Sequence, residues 1–131
     1  MKRRPPNGTP APHQDGRSWV RASQALRCLP FRRAFYELVA STPLSSSAFC
    51  RLPEAGRLCR RPMGVARVEQ HWLWLIRLGV LRREVDGQGL TERVRLTPMG
   101  RDLLDQWPGE IPEAPLLERL HHQLRRSRPR L

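Results

Sequence analysis

The stretch from Val65 to Thr97 constrains the fold more than any other part of the chain. It reads as a long helix, a glycine stop, a strand, a tight turn and a second strand. Val65, Val68, Trp72, Leu75 and Ile76 fall within one arc of a helix of about 3.6 residues per turn, so that arc faces a core. Gly79 follows the last turn, where a left-handed residue commonly closes a helix. Val80–Val85 and Leu90–Leu96 then take strand character on either side of Asp86-Gly87-Gln88-Gly89, and Asp-Gly between two such runs is a strong hairpin signal. The fold class is therefore mainly α with a small antiparallel β-hairpin.

The remaining residues read as flanking helices and tails. Residues 1–22 form an expected disordered basic arm, residues 23–108 the folded domain, and residues 109–131 a proline-rich linker with a short basic amphipathic helix. A first helix starts at Ser18 or Ser23 with Trp19, Ala22 and Leu26 on one side, and Pro30 ends it. Phe31, Phe35 and Leu38 recur at core spacing in a second. Thr42-Pro43 offers a cap and first-turn proline for a short helix over Leu44 to Leu52. The segment from Arg51 to Gly64 is either an extended loop or contains an extra helical turn. After the hairpin, Thr97-Pro98 caps a helix carrying Met99, Leu103 and Trp107.

Charge narrows the partner class. The 131 residues carry 24 basic and 12 acidic side chains, a net charge of +12 that favours polyanions such as nucleic acid. Lys2 is the only lysine, and residues 31–107 hold thirteen basic and eight acidic side chains, so the excess is not confined to the tails. Cys28, Cys50 and Cys59 are odd in number and contain no C-x-x-C pair, which argues against a disulfide framework and a structural zinc site. The longest apolar run, Trp72 to Ile76, is far too short for a membrane span, and the basic N-terminus lacks a secretory apolar region. A cytoplasmic, non-membrane protein is expected. Without a nucleophile matched to a base, a phosphate-cradling glycine loop or a recognisable carboxylate pair, no enzyme and no cofactor are expected.

Taking Trp72 as the centre of the buried face, Arg67, Gln70, His71 and Trp74 project outward from the long helix. Arginine reads guanine and glutamine reads adenine, so Arg67, Gln70 and His71 are candidate base-reading residues. Arg60 and Arg61, just before the helix, suit either phosphate contact or a solvated loop. In the hairpin, Leu81, Val85, Val94 and Leu96 face the core. Arg82, Arg93 and Arg95 then share the other face, where they either grip phosphate or serve as a charged edge against sheet aggregation. Trp74 and Leu78 suit packing on another element or a second subunit, and Leu117, Leu120 and Leu124 mark a C-terminal helix that either dimerises or folds back. His121-His122 is too isolated for a metal site.

Two resemblances follow from these residues. Leu78-Gly79-Val80-Leu81-Arg82-Arg83, then Asp86-Gly87, then Arg95-Leu96-Thr97-Pro98-Met99-Gly100-Arg101-Asp102-Leu103-Leu104 resembles the end of winged-helix transcription regulators. There, a recognition helix stops at glycine, a wing follows, and an L-T-x-x-G-x-x-L segment opens the next helix. The resemblance spans roughly residues 31–107 and implies a winged helix-turn-helix: the helix over 63–78 would read duplex DNA and the hairpin over 80–96 would hold phosphate. Winged helices also serve as protein-interaction modules, in which case Trp74, Leu78 and the C-terminal leucines would bind a protein partner or a second copy. The string WLIRLGVLRREVDGQG (Trp74–Gly89) is also similar to a family of small uncharacterised cyanobacterial proteins, which implies no activity.

Overall fold

The structure, a computed structural model, describes residues 16–127. In chain order these form α1 (Gly16–Cys28), α2 (Arg33–Ser41), α3 (Ser46–Arg51), α4 (Ala55–Leu58), α5 (Val65–Arg77), β1 (Leu81–Asp86), β2 (Gly89–Leu96), α6 (Pro98–Leu104) and α7 (Leu116–Ser127). The fold is mainly helical with one two-stranded antiparallel hairpin. Residues 1–15 of the expected arm lie outside the described residues, whereas residues 16–22 belong to α1, with Ala22 fully buried.

An aromatic core holds the helices together. Phe35 stacks on Phe31 at a centroid distance of 4.6 Å and on Trp72 at 5.6 Å, with Phe49 edge-on at 5.3 Å. Each fully buried ring contributes roughly 1.5–3 kcal/mol through the area it removes from water, and the edge and stacked geometries add to that. Val68, Trp72 and Leu75 bring α5 into this core, as their spacing requires. α5 ends in a Schellman arrangement: the Val80 amide donates to Leu75 (2.9 Å) and the Gly79 amide to Ile76 (3.0 Å). This places Gly79 at φ +89°, a conformation that favours glycine.

Three local expectations change. Thr42 is the C-cap of α2 rather than the start of a helix, and Leu44 is drawn into a backbone bridge with Val94. The next helix begins only at Ser46, where the Ser45 hydroxyl accepts from the Ala48 amide at 3.1 Å. The segment before α5 contains an extra helical turn, α4, followed by a bridge between Phe31 and Cys59. In the hairpin the register slips between Arg83 and Val85, so that Glu84 faces a three-residue bulge. Val85, toward the hairpin tip, is exposed instead of joining Leu81 in the core. At the tip the Asp86 side chain accepts from the Gln88 amide (2.7 Å), and Gly89 supplies the positive φ.

The region after α6 is fastened to the domain. Arg33 caps the end of α6 by donating to the carbonyls of Leu104 (3.0 Å), Trp107 (3.0 Å) and Gly109 (2.9 Å). Ile111 and Ala114 are buried. Arg60 donates to the Ile111 carbonyl at 2.7 Å, and the Ala114 amide to Arg27 at 3.0 Å. α7 then lies back on α1, where Glu118 accepts from Arg27 (3.0 Å) and Gln24 (3.3 Å). No helix among the described residues is long and apolar enough to cross a membrane.

Candidate nucleic-acid interface

The buried arc of α5 is centred on Val68, Trp72 and Leu75. The opposite arc, at the spacing i, i+4, i+7 and i+11, is Ala66, Gln70, Leu73 and Arg77, and all four are exposed. Arg67 is exposed on its edge. The hairpin flanks one side of this open face, tied to α5 by an ion pair between Arg83 and Glu69. α7 flanks the other. The open face thus carries two or three long hydrogen-bonding side chains and two apolar ones. Those are the types that contact base edges and thymine methyls in a major groove.

Of the three residues expected to read bases, Arg67 and Gln70 are exposed, whereas His71 is only 8% exposed and does not face solvent. Its ring stands edge-on to Phe31 at 5.9 Å, and its Nδ1 accepts from Arg126 Nη1 at 3.1 Å. Trp74 is also turned toward α7. Its indole N–H donates to His122 Nε2 at 3.3 Å, and the Arg126 guanidinium lies 5.7 Å from its ring centroid. Leu78 is half-buried against the core. The outward expectation for His71 fails because it centred the buried face on Trp72 alone, whereas Trp74 packs on another element, α7, one of the two placements expected for it. Val68 and Leu75 shift that centre, and α7 supplies a second cover. Leu73 and Arg77 were legible from the same i, i+4, i+7, i+11 pattern, with Val68, Trp72 and Leu75 as its complement. Arg126 and His122 carried no local signal, since their contacts with α5 are made across 48 to 55 residues.

The candidate phosphate contacts divide. Arg61 and Arg82 are exposed. Arg60 is structural: besides Ile111 it pairs with Glu113 at 3.6 Å, with its side chain 15% exposed. Arg93 and Arg95 do lie on one face of the hairpin, and Arg82 is the register partner of Arg95. Glu84 sits between them, 3.4 Å from Arg93 and 3.3 Å from Arg95. The carboxylate relieves the repulsion that a phosphate backbone was expected to relieve. Leu117, Leu120 and Leu124 point to solvent, as does Leu116, so α7 docks through its polar face and presents its apolar one.

Both docked histidines are held neutral. Burial, then the positive charges of Arg126, Arg67 and Arg61 and the neighbouring His122, lowers His71 from 6.5 to about 4. Burial, then Arg126 and Arg125, lowers His122 to about 4 against an opposing pull from Glu118. Burial pushes the thiols of Cys28, Cys50 and Cys59 up, the last to about 11, which disfavours the thiolate. Among the described residues no group of three His, Cys, Asp or Glu side chains is placed to hold a metal ion.

A model of the Npun_F0494-like family matches residues 13–126, and the chain belongs to that family. The match is consistent with the similarity of the Trp74–Gly89 string to a family of small uncharacterised proteins. No curated protein and no solved structure matches the chain.

Proposed function

For this member of the Npun_F0494-like family we propose a winged helix-turn-helix protein that binds duplex DNA, with transcriptional regulation as its role. The element order α2, Leu44 bridge, α3, α5, hairpin, interrupted only by the one-turn α4 between α3 and α5, supports the winged-helix reading. Leu44 exchanges both backbone hydrogen bonds with Val94 (2.8 and 3.2 Å), an isolated one-residue bridge where a winged-helix domain carries its short first strand. The observation that carries the DNA reading is the open face of α5, where Gln70 and Arg77 project beside Arg67 with Ala66 and Leu73 between them. Arg82 on the hairpin and Arg61 before α5 are exposed at its borders and suit phosphate. The test is retention of fragmented genomic DNA by purified protein at moderate salt, with sequencing of what is kept. Wild type enriches discrete sites, and a Gln70→Ala/Arg77→Ala variant loses the enrichment. Equal retention of all fragments by both proteins refutes base reading.

A second reading has its own observation. Leu117, Leu120 and Leu124 form an exposed apolar row on α7, and the groove between α3, α5 and the hairpin is lined in part by exposed Val65 and Leu90. Under this interaction-module reading, Leu120→Asp/Leu124→Asp abolishes a protein association that withstands high salt, while Gln70→Ala/Arg77→Ala leaves it intact.

A further inference from the structure

We propose that the seam between α5 and α7 is a binding pocket for a small phosphate-bearing anion, gathered by Arg61, Arg67 and Arg126. The cavity between the two helices has a volume of about 330 Å³, and its walls are Arg67, Gln70, His71, Gln123 and Arg126. A second cavity of about 180 Å³ shares His71, Gln123 and Arg126 with it and extends to Arg61. Volumes of this size suit a small molecule or its phosphate end.

The charge pattern singles this place out. Several arginines elsewhere are matched by carboxylates, although Arg77, Arg82 and Arg125 also form no ion pair among the described residues. Glu84 serves Arg93 and Arg95, Glu113 serves Arg60 and Arg119, Glu69 serves Arg83, and Glu118 serves Arg27. Among the described residues Arg61, Arg67 and Arg126 form no ion pair. Burial and then the charge of Arg67 lower the Arg126 guanidinium, and burial with all three arginines pushes the His71 imidazolium down. Arg126 is nevertheless held in place by His71 Nδ1 and the Trp74 ring, so its fork is oriented before a ligand arrives. Three guanidiniums in a partly walled site match the dianion of a phosphate monoester better than the single charge of a DNA backbone phosphate. The seam borders the Ala66–Gln70–Leu73–Arg77 face and shares Gln70 with it, while Leu73 and Arg77 lie outside the pocket.

The test uses the full chain, titrated with inorganic phosphate and with pyrophosphate at low ionic strength, near neutral pH. Calorimetry reads affinity, and the His71 imidazole resonance reports occupancy. Saturable binding is expected, and an anion beside His71 raises its midpoint from about 4 toward the ordinary histidine range. Removing one charge-assisted contact in Arg61→Gln or Arg126→Gln weakens binding about ten- to a hundredfold, while Arg101→Gln, on α6, leaves it unchanged. Circular dichroism verifies that each variant is folded. Leu73→Ala/Arg77→Ala, at open-face positions that do not line either cavity, retains anion binding even if it loses DNA, which separates this pocket from the open face. No saturable binding of either anion overturns the proposal, as does equal affinity in the Arg61 and Arg126 variants. A duplex oligonucleotide that alone shifts His71 also overturns it, by assigning the arginines to DNA.

Discussion

Acidification is expected to release α7 from α5. In the docked state both histidines accept a hydrogen bond, His71 from Arg126 and His122 from the Trp74 indole. Protonation destroys both acceptors and sets an imidazolium beside Arg126, with Arg67 and Arg61 also facing His71, and Arg125 facing His122 against only Glu118. Since both midpoints are lowered in the docked state, the contribution is fully present above about 6.5 and is lost as pH falls toward 4. Against an exposed histidine near 6.5, each site costs docking about 2 kcal/mol on going from about pH 7 to about pH 5. His71 keeps its contact with Phe31 when α7 leaves, so the pair together contributes less than twice that, about 3 kcal/mol. This is about a hundredfold in the docking equilibrium. Docking has little margin to absorb the loss, because Leu116, Leu117, Leu120 and Leu124 remain half or more exposed.

Hydrogen exchange of the α7 amides, corrected for intrinsic rate, reads the release directly, and the Trp74 indole proton reports its own partner. Protection should fall between about pH 7 and about pH 5 in the wild type. His71→Gln/His122→Gln supplies an amide oxygen to Trp74 and Arg126 without a titrating group, and should keep α7 docked over the same range. Protection that is flat with pH in the wild type refutes the reasoning. An identical loss in the glutamine variant also refutes it, by moving the cause away from the histidines.

Three substitutions test other parts of the structure. Glu84→Gln frees Arg93 and Arg95 from their shared carboxylate, so DNA binding should tighten and fall more steeply with salt; an unchanged salt slope excludes these arginines from the phosphate contacts. Gly100→Ala sets a Cβ 2.6 Å from Leu96 Cδ1 and 2.7 Å from the Val80 carbonyl oxygen. That carbonyl is held by the Thr97 amide, so overpacking outweighs the alanine helix preference and denaturant unfolding should show a loss of about 1–3 kcal/mol. Thr97→Ala removes the side chain that accepts from the Gly100 amide at 2.9 Å and donates to the Val80 carbonyl, and should cost about 1–2 kcal/mol in the same assay.

What the sequence made legible is what short-range periodicity encodes. Val68, Trp72 and Leu75 repeat on the core side of α5, Gly79 stops it, and Asp86-Gly87 turns the hairpin, each within a few residues of its cause. The errors fall where a distant segment competes for the same surface. Leu44 has good helical company in its own neighbourhood, but Val94, fifty residues on, offers it a strand bridge, and the cap moves to Ser45. Val85 alternates correctly with Leu81, yet toward the hairpin tip, opposite Leu90, it meets no core and stays exposed. Trp74 sits more than a quarter turn from the core centre and His71 somewhat less, positions at the border of the core that become inward once α7 returns across the chain. The apolar row Leu117–Leu120–Leu124 left that return and dimerisation equally open. An amphipathic helix is read as docking by its apolar face, whereas this one docks through Glu118, His122 and Arg126 and leaves the leucines outside. A helix attached by polar contacts and neutral histidines is weakly held and sensitive to charge. Acid on the histidines and an anion on the arginines should therefore move it in opposite directions.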